Sequence, residues 1–297
     1  MPALARACGA NCLIIAENLT MLIPDVDLAK RIEASETRLL TAAETEIRSR
    51  RGPVYDGFCT PIAGGVATYV GAGAPLNKVA GLGFGGPLPE AEWVEIEQAY
   101  AARGCAVQVE LSNLADPAIG QMLTRRGFVL MNFENVLGIA PDQSAGVGRS
   151  SDSLSVEVCD LSKFEEWLDI VVTGFETPDD VGVASHESFS RADLERIFGE
   201  MAATPGFVHY LARHDGVPAG GGSMFIGEGV AHLCGASTLP PHRRRGVQTA
   251  LLTHRLTDAQ RRGCALAVIT TQPGSKSQQN AHRRGFQLLY TRAILVR

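Results

Sequence analysis

The chain has 297 residues, of which 45% are hydrophobic, and its mean hydropathy is +0.04. No apolar run reaches the roughly 18 residues that a membrane-spanning helix needs, so the composition excludes an integral membrane protein and favours a globular one. The net charge of −5 is unevenly spread, because residues 243–297 hold ten Arg and one Lys against a single Asp, a local charge of +10. The remaining residues hold 16 bases and 31 acids, a charge of −15.

Seven cysteines are scattered along the chain with no Cys-x-x-Cys pair. An odd, dispersed set of cysteines is typical of free thiols in a reducing compartment, so we expect a cytoplasmic protein. Neither zinc-ligand spacing nor a His-Glu-x-x-His segment is present, and no metal is predicted. The length suits two domains, each large enough to bury a core.

The first half of the chain alternates helix and strand patterns. Residues 25–50 have apolar positions at helical spacing and predict one long amphipathic helix or two shorter ones, whereas residues 1–20 are interpreted as an N-terminal extension. Two or three strands are predicted within residues 54–70. Further strands are predicted at 78–84, 107–111 and 128–139, with helices at 90–102 and 118–126.

Small polar residues over 141–153 predict a linker, after which the pattern changes. The predicted order is strand, two helices, three strands, helix, strand, helix, strand. A hairpin is predicted around Asp215-Gly216, because this dipeptide favours a tight turn between two apolar runs. The strand that follows it covers residues 230–238 and leads into a turn rich in arginine.

That turn is Pro240 to Gly246, and a predicted helix follows it. The unpaired backbone N–H groups and the dipole at a helix N-terminus favour an anion. Gly246 lets the backbone approach a ligand closely, and Arg243, Arg244 and Arg245 add positive charge. The turn therefore predicts a phosphate-binding site.

The same residues resemble a known family. Arg243-x-x-Gly246-x-Gln248 resembles the Arg/Gln-x-x-Gly-x-Gly/Ala signature of the GNAT acetyltransferase superfamily, and Ser277-x-x-Asn280 followed by Gly285-Phe286 is similar to its later motif. Gln248 departs from the pattern, since Gly or Ala is usual there. The resemblance implies an α/β (mixed α+β) fold in which a mixed central sheet is flanked by helices. It also implies that acetyl-coenzyme A binds as cosubstrate.

Two sequence repeats divide the chain into halves. Arg103-Gly104-Cys105-Ala106 matches Arg262 to Ala265, and Arg125-Arg126-Gly127-Phe128 matches Arg283 to Phe286 with nearly the same offset. Two such tetrapeptides in step indicate a duplicated unit. We therefore predict two GNAT-like domains, the first over 21–140 and the second, which binds acetyl-coenzyme A, over 154–297.

The first copy lacks the phosphate turn. The position equivalent to Arg243 is Phe84 and that equivalent to Gly246 is Pro87, which has no N–H to offer a phosphate. Gly81-x-Gly83-x-x-Gly86 fits a dinucleotide-binding fingerprint, but no repeated parallel βαβ pattern surrounds it. The first copy is therefore interpreted as degenerate and structural.

The resemblance also implies roles for individual residues. Backbone groups near Ala236 face the thioester carbonyl, Thr238 and Asn280 contact the pantetheine arm, and the turn with the start of its helix holds the pyrophosphate. The implied cofactor-binding set is Ala236, Thr238, Arg243, Arg244, Arg245, Gly246, Val247, Gln248, Thr249 and Asn280.

Catalytic groups are less clearly marked. His232 is the candidate general base because histidine titrates near neutral pH, although a histidine within a core strand is the alternative. Many family members carry a tyrosine at the position of Ala281, so the general acid is missing. Glu176, Asp179 and Asp180 lie in an acidic loop that either attracts a cationic substrate or is merely solvated.

These observations predict an N-acetyltransferase that transfers the acetyl group of acetyl-coenzyme A to a primary amine of a small molecule by direct attack. A non-catalytic protein that binds or senses acyl-coenzyme A is the alternative. A nucleic-acid binder that uses the basic segment is a third interpretation, disfavoured by the few aromatic residues there. Neither the acceptor nor a homodimer can be specified from the residues.

Overall fold

A computed structural model describes residues 22–144, 153–177, 183 and 188–297, without the side chains of residues 143 and 144. The predicted extension at residues 1–20 lies outside this range. So do residues 145–152 of the predicted linker, and Asp179 and Asp180. The described start of that linker is a 3-10 helix, Pro141–Ser144.

The first half opens with a long helix. Helix α1 begins after Asp25, whose carboxylate accepts a hydrogen bond from the Leu28 amide at 2.7 Å, and it ends at Gly52 with φ 62°. The elements of this half are α1 Val26–Arg51, β1 Phe58–Ile62, β2 Gly65–Tyr69, β3 Lys78–Ala80, α2 Glu90–Ala101, β4 Gln108–Ser112, α3 Pro117–Arg125 and β5 Val129–Ile139.

The second half repeats the pattern with additional elements in front. The α-helices and strands that the structure describes in the second half are β6 Leu154–Cys159, α4 Phe164–Glu176, α5 Arg191–Glu200, β7 Phe207–His214, β8 Val217–Gly227, β9 Val230–Thr238, α6 Val247–Arg261, β10 Leu266–Thr271, α7 Lys276–Arg283 and β11 Gln287–Val296. The helix and strand predictions are confirmed, with shifted ends. Strand β3, predicted over 78–84, stops at Ala80, and helix α4, predicted to end at Val172, continues to Glu176.

All the described strands form one sheet in the order β1-β2-β3-β4-β11-β5-β10-β9-β8-β7-β6. Two pairs are parallel, β3 with β4 and β9 with β10, and the other pairs are antiparallel. The arrangement confirms the expected mixed α/β class. It also shows an exchange, because β5 of the first half pairs with β10 and β11 of the second half pairs with β4.

The exchanged strands β5 and β11 also pair with each other over most of their length. The halves are therefore joined by continuous backbone hydrogen bonds as well as by side-chain packing. On either side of this central pair the strand order is the same, β1-β2-β3-β4 and β7-β8-β9-β10. The sequence repeat thus corresponds to a repeat of topology.

The helices cover the sheet and close separate cores. Helix α1 packs against strands of both halves, whereas α6 lies over Tyr210 and Met224 of the second half and over Leu137 of the exchanged strand β5. The first half has its own core around Trp93, Tyr100 and Leu123. Among the helices described, none is long and apolar enough to cross a membrane.

The glycine-rich turn after β3 serves packing. A side chain on Gly81 would meet Thr37 Cγ2 at 2.6 Å, and one on Gly85 would meet the backbone of Gly64 at 2.4 Å. The Gly85 amide donates to the Ala63 carbonyl at 3.2 Å. These glycines are explained by close backbone approach, which agrees with the prediction that the first copy lacks a phosphate turn.

Candidate functional site

Strands β9 and β10 separate where the phosphate turn begins. They pair only through Val230, Ala231 and His232 of β9, although β9 continues to Thr238 and β10 continues to Thr271. The β9 edge facing β10 is therefore open beyond His232. This opening leads directly to the arginine-rich turn.

The turn ends at the N-terminus of α6, where no side chain of the described residues accepts a hydrogen bond from the first backbone amides. Gly246 is the N-cap of α6 at φ 86°, a left-handed conformation that favours glycine, and Arg244 also has positive φ at 64°. The Gly246 carbonyl accepts the first α-helical bond from the Ala250 amide, so the amides of Val247, Gln248 and Thr249 have no intrahelical acceptor. The turn thus presents backbone donors and the positive end of a helix dipole.

A cavity of about 920 Å³ lies between this turn, the end of β9 and helix α7. Nine of the ten sequence-predicted cofactor residues line it: Ala236, Thr238, Arg243, Arg244, Gly246, Val247, Gln248, Thr249 and Asn280. The tenth, Arg245, is exposed and does not line it. Residues separated by up to 44 positions in the chain are therefore brought to one cleft.

Two polar atoms in the cavity wall lack partners. The Thr238 hydroxyl and His242 Nδ1 are buried and have no hydrogen-bond partner among the described residues. Both residues line the cavity, together with the basic residues Lys276 and Arg283, and none of the described lining residues is acidic. Unpaired donors and uncompensated positive charge fit a phosphorylated ligand.

The side chain of Arg243 does not point freely into the cavity. Its Nε donates to the Thr238 carbonyl at 3.2 Å, and its Nη2 donates to the Thr177 carbonyl. Arg243 therefore ties the end of β9 to the end of α4. The predicted phosphate contacts rest on the backbone amides of the turn rather than on this guanidinium.

Sequence reasoning missed part of the cavity wall. Lys276 and Arg283 lie with Asn280 and the motif residue Ser277 on one face of α7, and their spacing of four and three residues from Asn280 could have identified them. Phe175 and Gly174 at the end of α4 were also missed. A side chain on Gly174 would meet Ser237 Cβ at 2.2 Å, so this glycine lets α4 approach β9.

His232 lies away from the cavity, in a buried group of charges beneath α1. We call this group the central ionic cluster, and its members are Glu33, Glu36, Lys78, Glu110, His232 and Arg292. His232 Nδ1 lies 3.5 Å from Glu36 Oε2, and its Nε2 has no hydrogen-bond partner among the described residues. The structure therefore does not bring the candidate base to the other predicted site residues.

Burial determines how the histidine of this cluster titrates. It lowers the pKa of His232 to about 4, an effect that the Glu36 carboxylate only partly offsets. Burial would raise the pKa of Glu36, but the charges of Lys78, Arg292 and His232 outweigh it and hold that pKa at about 2. His232 is thus neutral at physiological pH and a weak base, which favours the alternative of a core histidine over the role of general base.

The other predicted groups have partners that limit their chemistry. Glu176 Oε2 accepts from Arg191 Nη1 at 2.8 Å, so its charge is largely compensated. Ala281, at the position of the family tyrosine, is buried in an apolar core. Tyr290, a buried tyrosine of β11 that was not among the predicted groups, is not part of the cavity wall either, and its hydroxyl donates to Glu33 Oε1 at 2.7 Å.

Part of the basic excess of the C-terminal segment is buried or paired, although Arg244, Arg245 and Arg283 are exposed. Arg255 and Arg292 are fully buried, and Arg262 pairs with Asp258 at 2.9 Å. Arg297 pairs with Glu97 of the first half at 2.8 Å. This distribution weakens the nucleic-acid interpretation. Within the described part of the chain, no group of three or more His, Cys, Asp or Glu residues could hold a metal ion.

Comparisons with known proteins agree with this geometry. The model of the acetyltransferase (GNAT) family matches residues 165–286. A GCN5-related N-acetyltransferase from Kribbella flavida has a TM-score of 0.61 at 20% identity, covering 86% of this chain and 95% of that chain. No curated protein matches the sequence.

Two further solved structures share the fold. A tandem GNAT protein from the clavulanic acid biosynthesis pathway has a TM-score of 0.57 at 16% identity, covering 93% of this chain and 97% of that chain. A conserved protein of unknown function from Staphylococcus epidermidis has a TM-score of 0.58 at 9% identity, covering 82% and 95%. Residues 165–286 therefore match the model of the acetyltransferase (GNAT) family, and the solved structures share the fold of the whole chain.

Proposed function

We propose that the chain is an N-acetyltransferase that moves the acetyl group of acetyl-coenzyme A to the primary amine of a small molecule. The observation that carries this proposal is the cavity itself. It joins the uncapped N-terminus of α6 to the unpartnered Thr238 hydroxyl at the open end of β9. This combination suits a ligand with phosphates at one end and a polar arm at the other.

In the proposed complex the amides of Val247, Gln248 and Thr249 bind the pyrophosphate, and Arg244 and Arg283 add positive charge. The Thr238 hydroxyl and the Asn280 side chain bond the pantetheine arm, which lies along the open edge of β9. The thioester then lies near Ala236, the first β9 residue of the cavity wall. Backbone donors held there would stabilise negative charge on the thioester oxygen.

The transfer is a direct displacement. The amine nitrogen attacks the thioester carbonyl carbon, and the carbonyl electron pair moves to oxygen. That pair then returns as the carbon–sulfur bond breaks, so that coenzyme A leaves as the thiolate and the nitrogen loses a proton to solvent. Because Ala281 supplies no acid, the proposal has the thiolate leave without a proton from the protein, which its low basicity permits.

The second candidate function is binding without turnover. It is favoured by the burial of Ala281 and by the position of His232 outside the cavity, because neither an acid nor a base has been placed at the thioester. A sensor would need only the phosphate turn. The two functions differ in turnover and not in affinity.

An assay for free thiol separates them. The purified chain is mixed with acetyl-coenzyme A and a panel of polyamines, amino acids and amino sugars. The acetyltransferase proposal predicts that at least one amine raises thiol release about tenfold or more over the rate without acceptor, a modest threshold beside ordinary enzymatic accelerations. Tight binding of acetyl-coenzyme A with no acceleration by any amine would favour the sensor.

A further inference from the structure

Arg255 of α6 is a buried charge with no carboxylate partner among the described residues. Its side chain is fully buried, and burial lowers its pKa to about 10, so it remains protonated at neutral pH. A buried, unpaired guanidinium is costly to a fold. Its place in the structure therefore calls for an explanation.

The guanidinium lies against an irregularity between β8 and β9. Nη1 donates to the Ser223 carbonyl at 3.0 Å and to the Cys234 carbonyl at 3.4 Å, while Nη2 has no partner among the described residues. The strand register shifts between Gly221 and Ser223, and Gly235 has a φ of 55°. Arg255 thus binds two carbonyls at the point where the regular ladder is interrupted.

This point adjoins the cavity wall. A Cβ atom on Gly222 would lie 3.3 Å from Arg255 Cζ and 3.5 Å from Ala236 Cβ. The side chains of Arg255 and Ala236 therefore both approach the space above Gly222. Ala236 is the first β9 residue that lines the cavity. The guanidinium of Arg255 therefore lies close to a residue of the cavity wall.

The backbone connects the two sides. In a trans peptide the carbonyl and the following N–H point in opposite directions. The Cys234 carbonyl points to Arg255, so the Gly235 N–H of the same peptide points away from it. A hydrogen bond from a cation to that carbonyl polarises the peptide and makes the Gly235 N–H a stronger donor.

We propose that Arg255 is a positioning residue for acetyl transfer and that it stabilises negative charge on the thioester oxygen from the side of β9 that carries the Cys234 carbonyl. It does so through the Cys234–Gly235 peptide and through its own charge in a region shielded from water. The inference rests on the proposed function. As the amine nitrogen bonds to the thioester carbonyl carbon, an electron pair moves to the carbonyl oxygen. Arg255 stabilises the negative charge that this pair places on the oxygen. Arg255 keeps all its protons throughout.

A purely structural role would be to bond the two carbonyls left open by the strand irregularity. The two roles respond differently to charge. Arg255→Gln keeps N–H donors for these carbonyls but removes the charge, and Arg255→Lys keeps the charge. Arg261→Gln removes a charge from an exposed position on the same helix and is the matched control.

The test is the infrared carbonyl band of acetyl-coenzyme A labelled with ¹³C at the thioester carbon, which needs no acceptor amine. The expected result is a band at lower frequency in the wild-type complex than in solution. Arg255→Lys and Arg261→Gln should keep this shift, and Arg255→Gln should lose most of it. With an acceptor in hand, Arg255→Gln should lower kcat about tenfold or more at nearly unchanged KM, a smaller loss than removal of a direct oxyanion donor causes.

A folded Arg255→Gln protein that binds acetyl-coenzyme A and keeps the wild-type band position would overturn the inference while leaving the proposed function intact. Absence of calorimetric binding to the wild type would instead overturn the proposed function. Should Arg255→Gln fail to fold, the carbonyl band of labelled acetyl-coenzyme A bound to Arg255→Lys provides the test. A Lys complex with the band of free acetyl-coenzyme A contradicts the inference, because the charge is retained there.

Discussion

His232 illustrates how a residue can be well marked in a sequence and still lie away from the site. It is on β9, four residues before Ala236, and its strand face is turned toward α1 rather than toward the cavity. The sequence shows which strand the histidine is on. It does not show that a helix from the first half brings Glu36 next to the ring.

This placement predicts a measurable pH dependence. The pKa of His232 is about 4 in the folded chain and about 6.5 when unfolded, so the unfolded chain binds more protons between these values. Protonation of His232 therefore favours the unfolded chain in this range. Its effect on the free energy of unfolding is absent above pH 6.5, and it lowers that free energy as the pH falls toward 4. We expect wild type to lose about 3 kcal/mol relative to His232→Gln over this window.

Urea unfolding of both proteins at several pH values checks this. The comparison with the variant is needed because Glu134 acts in the opposite direction. Burial and the charge of Glu110 raise the pKa of Glu134 to about 7. Parallel stability curves would contradict the account. Thiol release should change less than about twofold in His232→Gln, whereas loss of a general base costs about a hundredfold or more.

Among the secondary-structure elements, the exchanged strands β5 and β11 most constrain how the chain folds. Strand β5 lies between β10 and β11, and β11 lies between β4 and β5. Either half alone would lack one strand of its sheet and expose an open edge. Exposed edges of this kind favour aggregation.

Separate halves should therefore fail to fold, although each contains one complete sequence repeat. We expect residues 22–148 and residues 149–297 to be insoluble or unfolded when expressed singly, and to copurify as a folded complex when coexpressed. Circular dichroism and size-exclusion chromatography provide the measurements. A soluble, monomeric C-terminal half that melts cooperatively at the full-length temperature would contradict this prediction.

The phosphate turn and the Arg-Arg-Gly-Phe repeat show what the sequence could and could not predict about the arrangement of secondary-structure elements. The phosphate turn was predictable because Gly246 and the start of α6 are adjacent in the chain and their geometry is local. The strand exchange was not, because Arg-Arg-Gly-Phe precedes a strand in both halves. The same local pattern permits pairing with either half, and only tertiary packing selects the partner.

At the scale of the whole molecule, the central ionic cluster joins α1 to strands of both halves. Arg292 of β11 bonds Glu33 at 2.8 Å and Glu110 at 3.3 Å, and Lys78 bonds Glu110 at 2.9 Å. No sequence pattern marks the cluster, since Glu33 and Arg292 are 259 positions apart. Buried carboxylates of this kind depend on the cations that compensate them.

Removal of the central cation should be costly. Arg292→Met leaves Glu33 and Glu110 without their guanidinium, and we expect it to lower the free energy of unfolding by about 3–5 kcal/mol. Denaturant unfolding gives the value. Arg297→Met is the control, because this arginine pairs with Glu97 while about half exposed, and its loss should cost about 1 kcal/mol or less.

A double variant tests the cause. Arg292→Met combined with Glu33→Gln removes one of the charges left behind and should recover part of the lost stability. Equal stability of the single and double variants would show that packing, and not uncompensated charge, explains the loss.

The central claim is that the uncapped start of α6 binds the pyrophosphate of acetyl-coenzyme A. The most direct test is calorimetric titration of wild type, Gly246→Ala and Gly246→Asp. Because Gly246 has a φ of 86°, both variants place a side chain on left-handed backbone, where Asp is tolerated at least as well as Ala, and only Asp adds negative charge. We predict micromolar binding by wild type, a loss of about tenfold or less in the Ala variant, and a loss of about a hundredfold or more in the Asp variant. No binding by wild type, or equal affinity of the two variants, would contradict the claim.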